Sequence, residues 1–386
     1  MEHNKAPGPD GFPAEFYQIC WDVIKDDLMA LFREFHSGNL PLYSLNFGTI
    51  ILLPKTREAI SVQQYRPICL LNVSFKIFTK VATKRITEVA QNVISPLQTA
   101  FLPGRNIMEG VVVLHETIHE LHTKKRDGVI FKIDFEKAYD KVKWSFVQQV
   151  LRMKGFSDTW CSWIKTFMEG GHVAVKVNDQ MGPFFQTQRG VRQGDPLSPI
   201  IFNLVADMLA TLIKRAKVNG QVVGLVPHLV DGGLSILQYA DDTILFMEHN
   251  LDKATNMKLI LCAFEQLSGL KINFHKSEVF CYGKAKEEEG RYTRLFSCKS
   301  GGMPFRYLGI PMHHRRLANG DWKTVETKFE RKLSSWKGKL MSVGGRLVLI
   351  NSVLTSLAIF MMSFFEVPKG VLEKIGYFRS RFFLAR

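Results

Sequence analysis

Apolar and polar positions along the chain fall into distinct periods. Phe47 to Pro54 (FGTIILLP) is a short apolar run closed by proline and predicts a strand. Ser74 to Val93 places Phe75, Phe78, Val81, Ala82, Ile86 and Val89 on one helical face, with Lys76, Lys80, Lys84 and Arg85 available to solvent or to a phosphate backbone. Val129 to Phe135 (VIFKIDF) predicts a strand carrying Asp134 near its end, followed by a helix from about Glu136. Leu234 to Met247 is two apolar runs broken by Asp241 and Asp242, the pattern of a hairpin with both acids at its turn. Between these strands, Arg192 to Pro199 reads as a loop and Pro199 to Lys217 as a helix. Tyr282 to Met303 is charged, contains Glu287, Glu288 and Glu289 in a row, and reads as a surface connection. Asp321 to Leu340 predicts an amphipathic helix whose stripe is Trp322, Val325, Phe329, Leu333, Trp336 and Leu340. Lys323, Lys328, Arg331, Lys332, Lys337 and Lys339 lie largely off that stripe. Leu347 to Phe365 is apolar, but Asn351, Ser352, Thr355, Ser356 and Ser363 favour a buried helix followed by a strand or loop over a membrane span. No internal repeat is visible.

Composition adds a partner class. The chain has 386 residues, 46% of them hydrophobic, enough for two or three domains with a sizeable core. Its net charge is +15, and residues 301–386 alone hold 15 Lys/Arg against 5 Asp/Glu. A polyanion, most simply nucleic acid, suits that excess, and the C-terminal quarter should carry much of the contact. The six cysteines are scattered without a C-x-x-C pair, which argues against a zinc knuckle or disulfide framework and for a reducing, intracellular compartment, nuclear or cytoplasmic. The first 13 residues are polar and rich in Pro and Gly, unlike a signal peptide.

The acids supply candidate chemistry. An adjacent aspartate pair in a turn is ordinarily turn chemistry alone. Here the pair is flanked by two apolar strands, and Asp134 ends a third. One acid on one strand and two on a hairpin can converge on divalent metals, which activate a hydroxyl and stabilise a leaving pyrophosphate in phosphoryl transfer.

Tyr239-Ala240-Asp241-Asp242 resembles the Y-x-D-D signature of reverse transcriptases. The resemblance runs along nearly the whole chain, in the order seen in non-LTR (LINE-type) retrotransposon enzymes, particularly plant ones. Its blocks are NKAPGPDGF from Asn4, YRPICLLN from Tyr65, QTAFLPGRNI from Gln98, FKIDFEKAYDKV from Phe131, RGVRQGDPLSP from Arg189, GLKINFHKS from Gly269 and YLGIP from Tyr307. Residues from Trp336 to Val353 resemble the start of that family's thumb. The resemblance implies an α+β right-hand polymerase fold, with fingers over 1–126, a palm of antiparallel sheet plus helices over 127–312, and a helical thumb over 313–386. It implies RNA-templated DNA synthesis with Mg²⁺ or Mn²⁺ on an RNA template, a DNA primer and dNTPs, without a membrane partner. By the same resemblance, Asp134 and Asp241 would ligate metal, Asp242 would support them, and Phe135 would lend its backbone carbonyl. Tyr139 would be the gate against a 2′-hydroxyl. Gln193 and Gly194 would contact the incoming nucleotide, Arg66 and Lys55 its triphosphate. Lys276 would donate a proton to the pyrophosphate, and Leu308 and Gly309 would form the primer grip.

Two other readings stay in view. His115-Glu116-Thr117-Ile118-His119 is a literal H-E-x-x-H, the helix motif of zinc peptidases, with His122 nearby. No third ligand stands at a known spacing. The other is a catalytically silent nucleic-acid-binding remnant: no endonuclease, zinc knuckle or ribonuclease H segment is recognisable, so the chain reads as an isolated domain or a decayed copy.

Overall fold

The computed structural model describes residues 1–56, 58–336 and 340–384. Its strands, in chain order, are β1 (Phe47–Pro54), β2 (Tyr65–Leu71), β3 (Gly128–Ile133), β4 (His172–Val177), β5 (Gln180–Met181), β6 (Phe185–Gln186), β7 (Ile236–Tyr239), β8 (Asp242–Met247), β9 (Glu278–Tyr282), β10 (Lys299–Ser300), β11 (Phe305–Tyr307) and β12 (Ile310–Met312). The helices are α1 (Ala14–Ile19), α2 (Trp21–His36), α3 (Val73–Val93), α4 (Ile107–Thr123), α5 (Ala138–Lys141), α6 (Trp144–Met153), α7 (Asp158–Met168), α8 (Ser198–Val218), α9 (Leu251–Ser268), α10 (Glu289–Phe296), α11 (Lys323–Ser335), α12 (Val343–Leu349), α13 (Thr355–Met362) and α14 (Lys369–Phe383). They form two compact units: Met1–Gly110 with Asp127–Ser300, and Val111–Arg126 with Gly301–Arg386.

The first unit holds two sheets. One has the order β2-β1-β4-β5, with β6 also on β4; β1 runs antiparallel to β2 and parallel to β4. The other has the order β10-β9-β3-β8-β7, with β3 central and antiparallel to both neighbours. Val129, Ile130 and Phe131 of β3 are consecutive apolar residues because both faces of the strand are covered there: all three are fully buried, and Phe131 stacks on Phe296 of α10. α8 is buried on nearly every side from Ile200 to Ala210, as expected of a core helix apolar all round.

Several elements differ from the pattern reading. α3 forms as expected and buries Phe75, Phe78, Ala82 and Ile86, but Val81 and Val89 face solvent, so its apolar stripe is narrower than its sequence. The helix expected from Glu136 is only the four residues of α5. Lys137 takes a left-handed φ of 44° before it, and Val142 leaves the helical region after it. The surface connection over residues 282–303 is instead a structural element: α10 buries Tyr292 and Phe296 completely. Its charges lie on the outer face of a helix whose aromatic face the composition conceals.

In the second unit, α11, α12, α13 and α14 enclose a core of Trp322, Val325, Phe329, Ile350, Leu354, Ala358, Val371, Ile375 and Phe378. α11 ends at Ser335, and Leu340 is exposed, so the amphipathic stripe stops short of the expected length. Lys337 and Lys339 lie outside the described residues. α12 passes through a π-helical turn (Ile350–Leu354) into α13. By length and composition Val343–Met362 could cross a membrane. Ile350, Leu354, Ala358 and Met361 form its buried stripe, while Leu347, Val348 and Ile359 are exposed, so the helix expected to be buried is covered on one side only. Residues 363–365 turn out of it, as the sequence suggested.

Candidate active site

The two acidic motifs meet at one end of the second sheet. β3 pairs with β8 up to Ile133↔Thr243, which sets Asp134, the next residue, level with Asp242. β7 and β8 pair up to Tyr239↔Asp242, so Ala240 and Asp241 form a two-residue turn. Ala240 is buried with φ 54°, a left-handed conformation that costs a non-glycine residue about 1–2 kcal/mol. All three aspartates are exposed at this edge.

A loop from the GLKINFHKS block fixes the backbone of Asp134. The Asp134 N–H donates to Ser277 Oγ at 3.1 Å, and the Asn273 N–H donates to the Asp134 carbonyl at 2.7 Å. The Glu136 N–H donates to Lys271 O at 2.8 Å. These bonds flank Phe135, whose own carbonyl therefore points to the other edge of the chain, the edge β8 occupies along β3. Partial burial raises the Asp134 pKa; Lys276 opposes the shift and the Asp241 carboxylate adds to it. Asp242 is raised too, by burial first and then by Asp241, with Lys132 opposing. The site is thus a cluster of carboxylates short of positive charge. Among the described residues no three His, Cys, Asp or Glu side chains form a metal cage by themselves.

Of the other candidates, Tyr139 stands near enough to Asp241 to feel its carboxylate, whereas Gln193, Gly194, Arg66 and Lys55 lie on or against β1 and β2 of the first sheet. Tyr139 stacks flat on Phe202 of α8, with ring centroids 4.6 Å apart; burial and the Asp241 carboxylate hold its hydroxyl protonated well above the ordinary range. Its carbonyl accepts the Val191 N–H at 2.7 Å, tying the RQGDP loop to Tyr139. Arg192, unused in the sequence reading, pins that loop: it donates to Asn46 Oδ1 and to Phe167 O, and lies 5.1 Å over the Phe75 ring. The Gln193 carbonyl accepts the Cys69 N–H of β2 at 2.7 Å. Gly194 has φ 115°, and a Cβ there would stand 2.5 Å from Cys69 O. Its close backbone approach is therefore to β2. Gly194→Ala should lower stability by roughly 2–4 kcal/mol, through backbone strain and overpacking, as read by denaturant unfolding; a loss below ~0.5 kcal/mol would refute this account. Arg66 is exposed on β2. Lys55 donates from Nζ to Gln63 O at 2.9 Å, closing the loop between β1 and β2.

Residues 53–312 match the family described as reverse transcriptase (RNA-dependent DNA polymerase). The chain belongs to this family. A 149 kDa uncharacterized protein of transposon TX1 from Xenopus laevis is 29% identical to this reverse transcriptase over 363 residues, which are 92% of this chain and 27% of that protein. The Pol polyprotein of the type-2 retrotransposable element R2DM from Drosophila melanogaster is 27% identical over 318 residues, 80% of this chain and 29% of the polyprotein. A telomerase structure from Candida Tropicalis, in complex with a fragment of telomeric RNA, aligns with a TM-score of 0.48 at 12% identity, covering 88% of this chain and 54% of that one. The reverse transcriptase spans less than a third of the length of the two retrotransposon relatives. It is of the non-LTR retrotransposon type and its fold is of the α+β class, as its motifs implied. Such domains take divalent metal ions and a nucleic-acid template.

The second unit carries the remaining candidates of the reverse transcriptase. Leu308 (φ 51°) and Gly309 (φ 85°) are the two turn residues of the β11–β12 hairpin, where Tyr307 pairs with Ile310. The H-E-x-x-H segment lies on α4. His115 is half-buried with its ring edge-on to Phe364 and Phe365, and burial lowers its pKa; His119 is exposed and contacts Thr123 Oγ1; His122 stacks on His314. No third metal ligand joins them among the described residues. The zinc reading rested on helical spacing, which repeats by chance wherever two histidines stand four apart. The sequence reading missed Arg192, Ser277 and Asn273. Ser277 and Asn273 act through backbone groups, and Arg192 through the Phe167 carbonyl as well as the Asn46 and Phe75 side chains; side-chain type alone gives no signal for such distant partners.

Proposed function

We propose that this chain is an RNA-directed DNA polymerase that extends a primer 3′-hydroxyl with dNTPs on an RNA template. The observation that carries this reading is the convergence of Asp134, from the end of β3, with Asp241 and Asp242, from the β7–β8 turn, at one sheet edge. The donor set is all oxygen, and burial first and the Asp241 carboxylate after it raise the pKa of Asp134 and Asp242, costs that a bound cation would offset, so the residues fit Mg²⁺ or Mn²⁺. Asp134, Asp241 and the Phe135 carbonyl would hold the ions, with Asp242 in support; when bound, they would supply hydroxyl activation and charge neutralisation at the transferred phosphate.

The chain's own groups have distinct tasks. Lys276, close enough to oppose the Asp134 shift, donates a proton to the leaving pyrophosphate. Tyr139, braced on Phe202, excludes a 2′-hydroxyl. Gln193 and Gly194 border the incoming nucleotide, and Arg66 and Lys55 attract its triphosphate. Leu308 and Gly309 grip the primer, and the exposed Lys323, Lys328, Arg331 and Lys332 of α11 track the duplex backbone. Fingers, palm and thumb then correspond to 1–126, 127–312 and 313–386.

Primer extension on an RNA template tests this. dNTP incorporation should require Mg²⁺ or Mn²⁺, stop on chelation, and survive His115→Ala. A folded chain that binds primer–template but extends nothing with either metal would instead be a silent remnant. Zinc-dependent peptide cleavage lost in His115→Ala would revive the peptidase.

A further inference from the structure

The turn that presents Asp241 is held in place by a residue far away in sequence. Residues 95–100 run beside β7: the Gln238 N–H donates to Leu97 O at 3.0 Å, and the Thr99 N–H donates to Gln238 O at 3.1 Å. Between these bonds the fully buried Gln98 side chain reaches the turn. Its Oε1 accepts the Ala240 N–H at 2.9 Å and the Ala100 N–H at 3.2 Å, and its Nε2 donates to Ala240 O at 3.4 Å. One amide therefore grips the peptide groups on both sides of the one left-handed residue in the hairpin.

The grip has a rigid base. Arg105 donates to the carbonyls of Ile94, Ser95 and Gln98. Asp207 of the buried helix α8 accepts the Ser95 N–H at 2.9 Å and the Lys154 ammonium at 2.6 Å. Asn203 of the same helix donates to the Ala100 carbonyl. The segment is thus fastened to the core helix before it touches the turn.

We propose that Gln98 is a positioning residue for polymerisation: it holds Ala240 at positive φ and so fixes the direction in which Asp241 presents its carboxylate. This rests on the polymerase reading given above. Alanine left to itself prefers negative φ. Returning Ala240 there would rotate the peptide joining it to Asp241 and swing the acid away from Asp134. Glutamine is suited because the position needs an acceptor for N–H groups and a donor for a carbonyl on one side chain. Glutamate lacks the donor and adds a buried negative charge; leucine keeps the size and loses both functions.

The test compares wild type, Gln98→Leu, Ala240→Gly and the double variant in primer extension across a Mg²⁺ series, with hydrogen exchange of the peptide spanning residues 236–243. Gln98→Leu should lower kcat by about tenfold or more, the scale of a small misplacement of reacting groups. It should also raise the Mg²⁺ concentration for half-maximal rate, leave the dNTP KM within about twofold, and speed exchange in 236–243 but not in β3. Glycine adopts positive φ freely, so adding Ala240→Gly to Gln98→Leu should restore part of the lost kcat. Unchanged kcat and Mg²⁺ dependence in Gln98→Leu would overturn the proposal. So would a loss that follows global unfolding and is not relieved by Ala240→Gly. If the wild type extends no primer, the polymerase reading fails, and exchange still decides on Gln98: unchanged exchange at 236–243 in Gln98→Leu refutes the brace, and faster exchange confined there supports it.

Discussion

Replacing Asp134 by Asn is expected to reduce primer extension by about a thousandfold or more while leaving the folded chain as stable as before, or more so. The loss follows from the chemistry: a charged metal ligand contributes several kcal/mol to transition-state stabilisation, and each ~1.4 kcal/mol is about tenfold in rate. The gain follows from the electrostatics of the metal-free site. Asp134 and Asp242 have folded pKa values raised above the ordinary carboxylate value, by burial and by their acidic neighbours. Between the ordinary and the raised value, the folded state binds more protons than the unfolded one, so stability falls as pH rises through that window. Above it the ionised acids repel each other at full strength, and removing one relieves the strain. The melting-temperature advantage of Asp134→Asn should therefore be present at neutral pH without metal and vanish below the ordinary carboxylate pKa. Exposure of the site to solvent keeps the gain small. Thermal melts of both proteins across the acid range, with and without Mg²⁺, check the sign; a variant less stable than wild type at neutral pH would show that Asp134 serves the fold.

Tyr139→Ala should admit ribonucleotides, raising the rNTP to dNTP ratio of kcat/KM by about a hundredfold, the scale on which an enzyme site discriminates a single hydroxyl. The Tyr139 ring can act as a rigid wall because it lies flat on Phe202, itself fully buried in α8. The same packing means the change also lowers stability, by roughly 1–3 kcal/mol for a half-buried aromatic. Tyr139→Phe keeps the ring and its stack and should keep the discrimination. Steady-state incorporation of paired dNTP and rNTP substrates separates these outcomes. An unaltered ratio in folded Tyr139→Ala would remove the ring as the gate and leave it a packing residue.

Legibility in the sequence followed the physical range of each signal. β1, α3, α8 and the β7–β8 hairpin were visible because one element meets one environment along its length, so its apolar period matches its geometry. A helix after Glu136 was legible, but not that α5 would end after four residues, because its termination depends on distant chain: the Val142 carbonyl accepts the Gly190 N–H, and a Cβ on Gly269 would stand 2.4 Å from the Lys141 carbonyl. α10 was missed because only Tyr292 and Phe296 among its charged residues turn inward.

The sequence by itself determined the family and the residue types from which its candidate site is built. Seven ordered blocks and three aspartates need only local composition to be recognised, and their carboxylates imply a divalent cation wherever they meet. The tertiary structure decided how they meet. Antiparallel register sets Asp134 level with Asp242, the Asn273–Ser277 loop holds the Asp134 backbone, and Gln98 grips the turn at Ala240. These are hydrogen bonds to backbone groups across as many as 143 residues of chain. Every residue carries the same backbone groups, so no side-chain pattern could announce such bonds before the chain was folded.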